Sequence, residues 1–142
     1  RPAMPVEFTI LPQHNLALFT YSGLVTFQDS ANVVAAAAAH PNHSPSMRQI
    51  CDVSRVTGVE KNYFGLLQMQ AQIVDSIAPK GSERLVIFYA PGKAGQEMAQ
   101  LARKSWEGLN SVIILVQDDE AAALALLGIP QTPLATLLER AN

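Results

Sequence analysis

A single cysteine, Cys51, stands in the 142 residues, so no disulfide can form within the chain and the fold must hold by its core. Its setting between Ile50 and Asp52, in an apolar run, fits a reduced, intracellular protein. Long apolar runs are absent as well. The longest are of seven residues, Val33 to Ala39 among them, far short of the roughly 20 residues that cross a bilayer, so no membrane span is expected. Concentrated positive charge is also missing. Ten Lys and Arg against twelve Asp and Glu give a formal net charge of -2, and the basic residues occur singly. No footprint for a phosphate backbone is present, which excludes nucleic acid as an expected partner. The opening "RPAMPVEF" has neither the apolar core nor the small-residue cleavage site of a secretory signal, and a cytoplasmic location is the expectation. Repeats, low-complexity tracts and linkers are lacking too, so residues 1–142 read as one domain. A domain of this size buries roughly 70% of the surface its unfolded chain exposes.

What is present alternates in type. "VEFTIL" and "LALFTYSGLV" are apolar, β-branched and aromatic runs joined by "PQHN", whose Asn15 suits a tight turn, and they predict an antiparallel hairpin. Thr26 and Asp29 stand in capping-box positions, which predicts a helix from Phe27 to His40 stopped by Pro41. "MRQICDV" reads as a strand covered on both faces, followed by a hydroxyl-rich turn. "NYFGLLQMQAQIVDSI" carries Tyr63, Leu66, Leu67, Ile73, Val74 and Ile77 at helical spacing, and "APKGS" ends it. "RLVIFYA" is a buried strand. "PGKAGQEMAQLARKSWEG" is a helix with Met98, Leu101, Ala102 and Trp106 inward and Gly108 as terminator. "SVIILV" is the last strand, and "DDEAAALALLG" a helix opened by acids that complement its dipole and closed by Gly128.

The order is β-β-α-β-α-β-α-β-α, followed by a short C-terminal helix. Strands separated by helices imply parallel neighbours, so the expected fold is a single-domain α/β mixed sheet of about five strands with one antiparallel hairpin.

That order, the segment "ICDVSRVTGV" and the late "VQDDEAAALALLG" resemble the STAS-like proteins with a SpoIIAA-like fold, small bacterial proteins mostly of unknown function. The resemblance covers a core of residues 6–128 and leaves 129–142 as a C-terminal extension. The better-known members are anti-sigma-factor antagonists and the cytoplasmic domains of sulfate transporters. In the antagonists a serine at the start of the helix after the third strand is phosphorylated, which decides partner binding. The resemblance places Asp52 as the strand-end acid, Val56 and Thr57 as the valine-threonine pair and Glu60 as the second acid. Lys61 and Asn62 occupy the positions of the serines. The phospho-acceptor of the antagonists is therefore absent.

The resemblance makes Asp52, Ser54, Thr57, Glu60, Lys61 and Asn62 the candidate partner or regulatory turn. Asp52 has two readings: a carboxylate accepting backbone N–H groups of the next two or three residues, or a ligand anchor at the open ends of parallel strands. Ser54 and Thr57 are hydroxyls of the kind that shape turns. A phosphate on either would lie near a helix N-terminus with Arg55 and Lys61 at hand. Cys51 reads as a small core residue, since burial and Asp52 both oppose a thiolate. His14, His40 and His43 are too few for a zinc site without further ligands, and His40 suits a helix C-terminus. "APGKAGQEM" has the glycines of an anion loop without the spacing of any nucleotide motif, and reads as a strand-to-helix turn.

In the tail, Thr132 as cap, Pro133 at the first helical position and Leu134, Leu137 and Leu138 on one face predict an amphipathic helix. Its stripe must dock, either on this chain's own sheet or across a two-fold dimer.

No catalytic constellation, cofactor motif or metal set emerges. The leading expectation is a non-enzymatic regulatory domain that acts by contacting an unknown protein partner through residues 52–62. The alternative is a carrier or sensor of a small, largely apolar ligand, held beside the sheet by the first helix's alanines and by Tyr21, Tyr63 and Tyr89.

Overall fold

Val6–Leu11 (β1) and Leu16–Val25 (β2) form the expected hairpin, paired from Val6 opposite Tyr21 to Leu11 opposite Leu16. Pro12–His14 make one 3-10 turn, and Asn15 completes it in the left-handed region at φ 50°, a conformation that asparagine tolerates better than most residues. The computed structural model describes residues 5–79, 81–129 and 132–141. The start read for a signal sequence lies partly outside them, as do Lys80 of "APKGS" and Pro130 and Gln131 of the tail.

Phe27–Ala38 (α1) begins with the capping box read from the sequence. The Asp29 amide donates to Thr26 Oγ1 at 3.1 Å and the Thr26 amide to Asp29 Oδ2 at 3.3 Å. The helix ends at Ala38, short of the expected His40. Arg48–Val59 (β3), Arg84–Tyr89 (β4) and Val112–Gln117 (β5) follow, separated by Tyr63–Ile77 (α2) and Lys93–Trp106 (α3). Glu120–Ala125 (α4) and Leu134–Ala141 (α5) complete the chain. The sheet runs β1-β2-β3-β4-β5, with β1 antiparallel to β2 and every later pair parallel. Fold class and element order are those expected.

Alternation along the strands sends each side chain to one of two interiors. One face, with Phe19, Tyr21, Cys51, Val86 and Phe88, packs against α1, α2 and α3. The other, with Leu11, Leu16, Leu18, Ile50 and Ile87, packs against α4 and α5. Leu134 and Leu137 are buried there with Leu138 beside them, so the tail helix covers this chain's own sheet. Its first amide is capped by the Glu120 carboxylate, Leu134 N to Oε2 at 3.0 Å, and not by Thr132. That contact ties α5 to the start of α4.

The three helices of the first face are not equivalent. α1 packs on β1 and β2, and α3 on β3 and β5, whereas the backbone of α2 lies nearest α1 and α3 and reaches the sheet through the side chains of Leu66, Ile73 and Ile77. Gly95 lets α3 sit close. A Cβ there would come within 2.7 Å of the Val53 carbonyl oxygen, which accounts for a glycine in "APGKAGQEM" without an anion.

Candidate functional site

The segment expected as a turn at residues 52–62 is mostly strand. β3 continues to Val59 because the far half of β2 pairs with it, Ser22 beside Arg55, Gly23 beside Val56 and Val25 beside Val59, across two irregularities in register. Val53, Val56 and Val59 are buried, while Ser54, Arg55 and Thr57 are exposed. A run with so many hydroxyl and basic residues reads as a turn in isolation. Its buried valines and a long partner strand override that reading.

The candidate residues are held by local tasks and do not converge. Asp52 Oδ1 accepts from the Ser54 amide at 3.0 Å and the Ser54 hydroxyl at 2.6 Å, the local bonding considered for it. Glu60 caps α1 across the chain, accepting from the Phe27 amide at 3.0 Å. Asn62 caps α2 through the Gly65 amide at 3.2 Å, a role legible in the sequence as an asparagine just before an apolar-periodic run. Lys61 approaches Glu97 at 3.8 Å with both side chains largely in water, a pair worth little. Thr57 lies on the exposed face of β3. Just beyond this segment Phe64 is 69% exposed.

The histidines are separately engaged. His40 Nδ1 accepts from the Asn42 amide, and its ring meets Phe8 edge-on. His43 Nε2 lies 3.2 Å from the Arg84 guanidinium. Burial first, then Arg84 and His40, hold the His43 pKa below 6.5. Among the described residues no group of three or more His, Cys, Asp and Glu comes together.

One concavity is internal, beside larger surface grooves such as that of about 580 Å³ lined by Lys61, Lys93, Glu97 and Lys104. A cavity of about 80 Å³ lies between α2 and the sheet, flanked by α1 and α3 and partly open. That is roughly half the volume of the ~150 Å³ engineered cavity that takes up benzene. Val25, Leu66, Ile73, Val86, Phe88, Met98 and Trp106 give it apolar walls. Tyr21, Ser30, Gln49, Cys51, Gln70 and Ser105 also line it, and no charged residue does. Of the three tyrosines expected beside a pocket, only Tyr21 is there. Tyr63 lies under the Lys104 ammonium at 5.0 Å, and Tyr89 belongs to the opposite face. The first helix contributes Phe27, Ser30 and Val34, not its alanines.

Cys51 is 1% exposed, and burial pushes its thiol up to about 12; the hydrogen bond from Gln49 Nε2 at 3.3 Å and the Tyr21 hydroxyl pull it down, and Asp52 raises it slightly. Burial, then the neighbouring Cys51, likewise hold the Tyr21 phenol well above its ordinary value. Both groups are neutral at physiological pH, which removes Cys51 as a nucleophile.

Sequence reasoning missed two arginines at the starts of strands. Arg84, only 2% exposed, donates through Nε to the Ile77 carbonyl at the end of α2. Arg48 donates to the Leu127 carbonyl just beyond α4 and to the His14 carbonyl. Each cation faces a helix C-terminal end, where the dipole favours it.

No family model matches the chain, and no curated protein matches it. Among solved structures, it is similar to an uncharacterized protein of the DUF3478 family with a SpoIIAA-like fold from Shewanella loihica PV-4. The two share 13% identity and a TM-score of 0.56 over 89% of this chain and 97% of that one. At that identity the likeness speaks to fold alone. Among the described residues no helix is long and apolar enough to cross a membrane. The chain has a SpoIIAA-like α/β fold, as its order of elements implied.

Proposed function

We propose that this protein is a carrier or sensor of a small, largely apolar molecule held beneath α2. The supporting observation is the cavity of about 80 Å³, apolar in its walls and bounded by α2, whose backbone lies nearer α1 and α3 than the strands. Cores normally close to a density that leaves few voids larger than water, so a space of this size in a small domain favours an occupant. As it stands the cavity admits a group of a few heavy atoms. A larger molecule requires α2 to move outward, and α2 is the covering element least tied to the strands. The test is extraction of gently isolated protein and mass analysis of what is released. A recurrent small molecule that raises the melting temperature on re-addition is the expected result; no released molecule, and no stabilisation by any lipophilic compound, would contradict the reading.

A second reading, a regulatory domain that contacts a protein partner, is favoured by exposed Phe64 and half-exposed Leu67 on the outer side of α2, next to Lys61 and Asn62. Both readings meet on α2, which lines the cavity with Leu66, Met69 and Ile73 and turns Phe64 outward. Lys61→Glu and Phe64→Asp are expected to weaken capture of a protein partner. Unchanged capture by both variants would remove this surface.

A further inference from the structure

We infer that the cavity accepts an uncharged molecule bearing one neutral hydrogen-bonding group, a hydroxyl or carbonyl, set against the hydroxyls of Tyr21 and Ser30. This rests on the ligand-binding reading above and adds the chemistry of the ligand.

The first ground is the lining, which brings no charged side chain to the space. A carboxylate or ammonium entering this apolar cavity loses most of its water and meets no counter-ion, which strongly disfavours it. The second ground is how the polar lining atoms are used. Gln70 Nε2 donates to the Ser105 carbonyl at 2.6 Å, and Ser105 Oγ to the Ala102 carbonyl at 2.9 Å. Gln49 Nε2 donates to Cys51 Sγ at 3.3 Å. These groups serve the protein itself. The Tyr21 hydroxyl lies near Ser30 and Cys51, where β2, β3 and α1 meet, and both Tyr21 and Ser30 line the space. Hydroxyls both donate and accept, so this pair can satisfy either a carbonyl or an alcohol. Burial keeps the Tyr21 phenol and the Cys51 thiol protonated, so neither supplies a charge that would admit a cation. The polar group is therefore held at one end while the rest of the ligand lies against Leu66, Ile73 and Val86.

The test is a methyl NMR titration of the full chain with five probes of similar size: cyclopentane, butan-1-ol, butanone, butanoate and butylammonium. Cyclopentane, butan-1-ol and butanone are expected to shift the methyls of Leu66, Ile73 and Val86. Butanoate and butylammonium are expected to bind more than about 100-fold more weakly, given the cost of a buried unpaired ion. Tyr21→Phe and Ser30→Ala are each expected to weaken butan-1-ol by roughly 5- to 10-fold, the worth of one hydrogen bond, and to leave cyclopentane unchanged. Butanoate binding as well as butan-1-ol, or butan-1-ol indifferent to both substitutions, overturns the inference while the ligand site stands. Silence from every probe, cyclopentane included, removes the ligand site and the inference with it.

Discussion

Val86 and Ile87 are neighbours on β4 that point to opposite faces of the sheet and meet different interiors. Ile87 enters an aliphatic cluster with Leu11, Leu16, Leu18, Ile50, Leu124 and Leu137, each at most 1% exposed. Val86 enters a mixed interior of aromatic, thiol, amide and hydroxyl groups around an open space. The face under α4 and α5 is filled as a scaffold is filled. That under α1, α2 and α3 keeps volume and polar atoms that stability alone does not call for. In one small domain one side is filled and the other keeps a space, and the proposed binding belongs to the second.

The largest way to test this division is to cut into the filled face. Ile87→Ala and Leu137→Ala are each expected to cost about 2–5 kcal/mol in urea unfolding, since nothing nearby is free to collapse. A cost below about 1 kcal/mol would mean that this face is no better packed than the other. Next is the tie between α2 and the sheet. Arg84→Met removes a charge-assisted bond to the Ile77 carbonyl and is expected to cost about 2 kcal/mol, with faster amide exchange at the C-terminal end of α2. Uniform exchange along α2 would show that Arg84 does not anchor it.

Adding atoms gives a contrast in sign. Ala123→Val, in the filled face, is expected to cost about 1–3 kcal/mol by overpacking. Val86→Ile, into the cavity, is expected to stabilise by up to ~0.8 kcal/mol for one methylene. Equal signs would erase the distinction between the faces. The smallest effect is pH-dependent. Burial, Arg84 and His40 hold the folded His43 pKa below its ordinary 6.5. Between those two values the unfolded chain carries more protons, so stability rises with pH across that window. It falls as pH drops through 6.5 toward the folded value. His43→Gln is expected to flatten that slope, as measured by melting temperature against pH.

Much of this architecture is legible in the sequence because its signals are local. Asn15 in the hairpin turn and Thr26 with Asp29 at α1 act within a few residues. Gly128, at φ 76°, closes the chain after α4 in the left-handed region that glycine favours. The extended β3 was not legible, because "VSRVTGV" becomes strand only through pairing with the far half of β2. Glu60 and Glu120 as caps of α1 and α5, and Arg84 as the anchor of α2, likewise depend on partners distant in sequence. Met98 and Trp106 are legible as inward and Leu66 and Ile73 as apolar positions at helical spacing, whereas Leu67, in the same pattern, is exposed. Whether inward residues close on one another or leave a space depends on how far α2 stands from the strands. Helical periodicity does not encode that distance.

Native mass spectrometry of the gently isolated protein, run beside a variant whose cavity is filled by Ala102→Leu, tests the central claim most directly. The expected result is a small bound mass on the natural chain that is lost or strongly reduced in the variant. Bare chain mass in both, with no probe able to occupy the cavity, would contradict the account.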